Sequence, residues 1–132
     1  MRMRAAIIAA LILTLAASFA CAERTQAAAS LKATMRAWKT NMGALEGMAA
    51  GAAPLDSAEA LRLLQEFATD SQTTAGRSIV TGADAADIHA RFEAFSADAR
   101  RAGEAIPAGD PLQPHLLRLR ADCRSCHDLY AN

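Results

Sequence analysis

The sequence predicts an all-α domain, an up-down-up-down four-helix bundle, on three observations. Alanine is abundant while aromatics make up only 5% of the residues, so strand-forming runs are scarce. Apolar side chains recur at alternating spacings of four and three in four separate segments, the period of one helical face. Glycine and proline gather between those segments, where chain reversals belong. With 132 residues there is room for one small domain, and no internal repeat is visible.

The chain opens with Met1-Arg2-Met3-Arg4, an apolar run from Ala5 to Phe19, and Ala20-Cys21-Ala22. A basic start, a short hydrophobic stretch and an Ala-x-Ala site are the parts of a secretory signal peptide. Residues 1–22 are therefore expected to be cleaved, leaving 23–132 as the domain, exported to the periplasm and not inserted in a membrane. The run is short for a membrane anchor. Ser18-Phe19-Ala20 is a poor approach to a lipid-bearing Cys21. Cleavage removes Arg2 and Arg4 from 14 basic residues, leaving 12 against 14 acidic ones. So balanced a chain lacks the basic footprint of a nucleic-acid binder.

The first helix is expected from about Arg24 to Ala50, its seam formed by Leu31, Met35, Trp38, Met42, Leu45 and Ala49, with Gly51 closing it. Asp56-Ser57-Ala58-Glu59 reads as a start signal for a second helix, Ser57 to about Thr74, with Leu61, Leu64, Phe67 and Ala68 on one face. Residues 76–82 form a connector, in which Ile79-Val80 are candidates for the core. Asp84, with Asp87 three residues on, is expected to cap a third helix running to about Glu104 through Ile88, Phe92, Phe95 and Ala99. Ile106 to Pro114 reads as a rigid loop. A fourth helix then carries Leu112, Leu116, Leu119, Cys123, Cys126 and Tyr130 in unbroken four-three alternation.

That last seam contains Cys123-Arg124-Ser125-Cys126-His127. Two cysteines three apart followed by histidine form the attachment motif of a c-type haem: each thiol adds to a vinyl group and the imidazole ligates the iron. On a helix the three side chains share one narrow face, so they meet one edge and one side of a flat macrocycle. A dithiol redox pair belongs after a strand in a βαβ unit, and a structural zinc site needs a second ligand pair; neither context is present. The bundle is thus expected to hold one covalent haem c on Cys123 and Cys126, with His127 as one axial ligand. About 110 residues make a modest core, so the haem-free chain is expected to be poorly structured.

The second axial ligand must come from upstream, where Met35, Met42, Met48, His89 and His115 are the candidates. His127 lies near the end of the fourth helix, beside the starts of the first and third. By the helical rise, Met42 and Met48 lie roughly 10 and 20 Å farther along than Met35, and His115 is about 18 Å from His127 on its own helix. His89 is at the correct end but one position off its seam, and is expected at the surface. Spacing alone leaves Met35 open between iron ligand and core filler.

The ending Cys123 to Tyr130, together with Asn41-Met42-Gly43 and Gly51 to Asp56, resembles the class II c-type cytochromes, the cytochrome c prime family. The resemblance spans the whole mature chain. It implies that Met35 occupies the position facing the distal side of the haem. Methionine there is similar to the low-spin, methionine-ligated subgroup rather than to the five-coordinate members. The sequence departs from the family pattern at Leu31 and Ala131, which leaves Arg120 and Arg124 as candidate propionate partners.

The function expected is electron transfer with a redox partner protein, without enzymatic turnover, the iron being held by His127 and Met35. The alternative is a five-coordinate cytochrome binding nitric oxide or carbon monoxide; a disulfide oxidoreductase built on Cys123 and Cys126 is a third reading. A homodimer fits the resemblance.

Overall fold

The computed structural model describes residues 30–75 and 82–130. The proposed signal segment, the first residues of the predicted first helix and Ile79-Val80 lie outside the described residues. Four helices are present and, among the described residues, no strand: α1 over 30–49, α2 Ser57–Ala75, α3 Ala85–Ala108 and α4 Leu112–Tyr130. No described helix is long and apolar enough to cross a membrane.

Cross-helix contacts run in opposite senses along each neighbouring pair. On α2 and α3, Ser96 donates to the Ala68 carbonyl near the middle, while Gly103 approaches Leu61 farther along α3 and farther back on α2. On α3 and α4, Arg118 meets Asp98, Arg91 meets Ser125 and Tyr130 meets Asp87. Arg120 of α4 reaches back to Glu46 of α1. The helices therefore alternate in direction and enclose one core.

That core is an aromatic cluster flanked by leucines. Trp38 of α1 stacks on Phe95 of α3 at 4.8 Å between ring centroids and meets Phe67 of α2 edge-on at 5.7 Å. Leu45, Leu64, Leu116 and Leu119 fill the remainder. The indole N–H, which would be costly to leave unpaired, donates to Asp70 at 3.1 Å.

The predicted elements differ from the structure in four places. Asp84 sits at the start of α3, but its side chain makes no capping bond; Asp87 is instead engaged by Arg91 and Tyr130. At α2 the cap is Asp56, whose Oδ1 accepts from the Glu59 N–H at 3.0 Å. The expected loop from Ile106 is largely helix: α3 runs through Pro107 to Ala108. A proline in a last turn removes one backbone donor, and the turn is closed behind it by Gly109 at φ 75°, with bonds from Gly109 to Ile106 and from Asp110 to Ala105. Leu61 is 38% exposed while Leu63 is buried, because α2 inserts between α1 and α3 and buries a broader face than one seam. Finally, burial on α4 ends at Leu119; Cys123, Cys126 and Tyr130 are half-buried.

Candidate functional site

Burial fails on α4 where a cleft begins. At the end of the bundle, where α1 starts and α4 finishes, a pocket of about 360 Å³ opens, its mouth included. Trp38, Phe92 and Phe95 form its floor, and Met35 of α1 stands across it from Cys123, Cys126 and His127 of α4. Helical spacing aligns the α4 groups, and the antiparallel arrangement brings Met35 opposite them. Met35 and Cys123 are partly buried against the core, whereas His127 is exposed.

The cysteines are free thiols. Burial, with Asp122 and Cys126 nearby, pushes the Cys123 thiol up to about 11, and burial also raises Cys126. Both remain protonated at neutral pH. A thiol-disulfide catalyst needs the opposite, a thiol whose thiolate is stabilised. Among the described residues no three of His, Cys, Asp and Glu gather to hold a metal ion, as a tetrahedral zinc site would need.

The cleft's α3 wall carries a polar latch. Arg91 donates from Nε to Asp87 at 2.7 Å and from Nη1 to the Ser125 hydroxyl at 3.1 Å. Tyr130 donates to Asp87 at 2.6 Å, under the Arg91 guanidinium. Ser125 lies between the two cysteines, so the latch fixes the motif's turn of α4 against α3. Beside it, Asp122 lines the cleft with a buried Oδ2 that has no donor. Burial and the Asp98 carboxyl push Asp122 up to about 6. Asp98 is itself desolvated, but bonds from Arg101, Asp122 and Arg118 outweigh that and hold it below the usual carboxylate range. Burial and proximity to Asp98 thus make Asp122 the carboxyl that takes up a proton first as the pH falls.

Of the five distal candidates the structure brings only Met35 to the cleft. Met42 is core, and Met48 packs partly buried, about two and three and a half turns farther along α1 than Met35. His115 is three turns from His127 on α4. His89 departs from its expected surface position: it is half-buried and its Nε2 is buried without a partner. It stands seven residues before Ser96, on the side of α3 that meets α2, because α2 covers a face of α3 that the seam alone does not mark. Arg120 is committed to Glu46, and Arg124 is exposed without an ion pair among the described residues.

The sequence reading did not place Arg91, Asp122 or the aromatic floor in the site. Arg91 carries no local signal, since what matters is the α3–α4 register that puts it beside Ser125. The phenylalanines were legible as core, and their position at the cleft follows only from where the packing stops.

The residues fit a haem. Trp38, Phe92 and Phe95 give the cleft an apolar, aromatic lining of the kind a flat macrocycle needs, the two free thiols are on one helix, and a nitrogen donor from α4 and a thioether donor from α1 line the same space. Compared with protein families, curated proteins and solved structures, the chain finds no match in any of the three.

Proposed function

We propose that this chain is an exported mono-haem c-type cytochrome of the cytochrome c prime kind that transfers electrons to and from a redox partner and catalyses no reaction of its own. The observation that carries the reading is Met35 facing Cys123, Cys126 and His127 across one apolar cleft. A bound haem would supply one-electron chemistry between Fe(III) and Fe(II).

The rest falls to this chain's side chains. Cys123 and Cys126 hold the porphyrin edge through thioethers, and the raised thiol pKa values keep both sulfurs as protonated thiols until attachment. His127 and Met35 would be the residues that hold the iron, which would leave it no open position for a substrate. A thioether opposite imidazole favours the reduced iron relative to a second histidine. Trp38, Phe92 and Phe95 exclude water from the buried side, which also sets the potential. Arg91 and Tyr130 hold the attachment turn in place.

Absorption spectroscopy of the protein matured with haem tests this. The expected spectrum is low-spin and six-coordinate with a sulfur-to-iron charge-transfer band, and Met35→Ala converts it to high spin. A high-spin wild-type spectrum indicates the gas-binding alternative. A low-spin spectrum that survives Met35→Ala and is lost in His89→Ala refutes the axial assignment. Trp38, the only tryptophan, lines the cleft, so its fluorescence is expected to be strongly quenched by attached haem.

A further inference from the structure

Beside the residues that line the cleft, α1 carries Lys32, Arg36 and Lys39, all exposed and none in an ion pair among the described residues. Their spacing of four and three puts them on one stripe of α1, alongside Met35. Glu46 extends that side of the helix and is bonded to Arg120 of α4, so the stripe lies on the flank of α1 that meets α4. Across the seam stands Arg124, exposed and four residues beyond Arg120, next to the exposed His127. Between residues 30 and 45 α1 has no acidic residue at all. Leu117, 59% exposed and three residues before Arg120, adds an apolar contact on α4. On the α3 side Glu93 and the N-cap Asp84 are exposed, while Asp87 is paired with Arg91.

The stripe on α1 is therefore a local positive surface, although the chain as a whole has equal numbers of acidic and basic residues. Arg118 and Arg120, the other cations of α4, are consumed by Asp98 and Glu46, which leaves the stripe of α1 and Arg124 as the available positive surface. Like charges clustered at a cleft mouth cost repulsion in the isolated protein and are repaid when an oppositely charged surface arrives.

We propose that Lys32, Arg36, Lys39 and Arg124 form the docking surface for an acidic partner protein, which approaches over the α1–α4 seam and meets the cleft at the edge where His127 and Met35 lie. The link to electron exit rests on the haem reading; the surface itself does not. A protein face suits this surface better than a lipid one, because the four cations flank a seam between two helices that carries one exposed leucine rather than a broad apolar face.

Two measurements separate these parts. Retention of the full chain on a carboxylate-bearing matrix at pH 7 needs no haem. The wild type, despite its balanced charge, is expected to be retained at low salt, and Lys32→Glu/Lys39→Glu to pass through with unchanged helical circular dichroism. Equal retention of both, or of neither, overturns the proposal. With the haem-bearing protein, oxidation by anionic hexacyanoferrate(III) is expected to slow about tenfold from low to high ionic strength, and the slope to reverse in the charge-reversed variant. A rate that is flat or rises with salt in the wild type overturns the docking geometry. Retention by the matrix in a chain that carries no haem spectrum leaves the surface standing and refutes the cytochrome reading instead. Binding to phosphatidylglycerol vesicles at physiological salt, lost in the same variant, assigns the stripe to a membrane and overturns a protein partner.

Discussion

Asp122 is the residue whose chemistry was least visible in the chain. Its position before Cys123 suggests only an exposed acid on a helix, yet folding brings it against Asp98 and under partial cover, which raises it to about 6. A carboxyl in an unfolded chain titrates near 4, so between about pH 4 and 6 the folded state holds the extra proton and stability falls as pH rises through that window. Asp122→Asn cannot ionise, so it removes the cost of a second charge beside Asp98. Thermal unfolding is therefore expected to show the variant more stable than the wild type at pH 7.5, with the difference closing by about pH 4. Asp98, held low by its arginines, loses its contribution on acidification in both proteins, so it cancels in the comparison. The attachment motif lies at the other extreme. Cys123, Cys126 and His127 were readable from spacing alone, because helical geometry between neighbours three and four apart does not depend on the rest of the fold.

Element boundaries were legible wherever a terminus is closed by local chemistry. Gly51 ends α1 at φ 73° with bonds from Gly51 to Met48 and from Ala52 to Gly47, as a glycine after a helical run predicts. Pro107 was misleading, since proline argues for a loop and the decisive group was Gly109 two residues later. Gly109→Ala forces a side chain into the left-handed region and is expected to cost about 1 kcal/mol in chemical denaturation. Gly103→Ala is expected to do the reverse. There the added methyl meets Leu61 Cδ2 at 3.8 Å, an ordinary contact, and replacing a mid-helix glycine gains about 0.5–1 kcal/mol. If the two substitutions shifted the midpoint in the same direction, the assignment of α3 through Pro107 would be wrong.

At the scale of the whole molecule, the aromatic cluster joins three helices through one side chain. Trp38 stacks on Phe95, meets Phe67 and Phe92 edge-on, and hydrogen-bonds Asp70. Trp38→Ala is expected to cost about 3–5 kcal/mol, a large share of the stability of a domain this size, and to abolish cooperative unfolding monitored by circular dichroism. The proposed haem would sit against the same cluster, because Trp38, Phe92 and Phe95 line the cleft. The haem-free chain is expected to lose helical signal and thermal stability relative to the haem-bearing one; equal melting of the two forms would contradict the cofactor's structural part.

The sequence by itself determined the helical class, the four segments and the shared face of Cys123, Cys126 and His127, since these follow from periodicity and from groups within one or two helical turns. It narrowed the distal position to a few residues and could not choose, because rise along a helix gives depth and not facing. Only the packing decided that Met35 lines the cleft while His89 turns toward α2, that Arg91 reaches Ser125, and that Asp122 is brought against Asp98. Each of those depends on the rotation and register of one helix against another, which is set by how side chains far apart in the chain fill the common core.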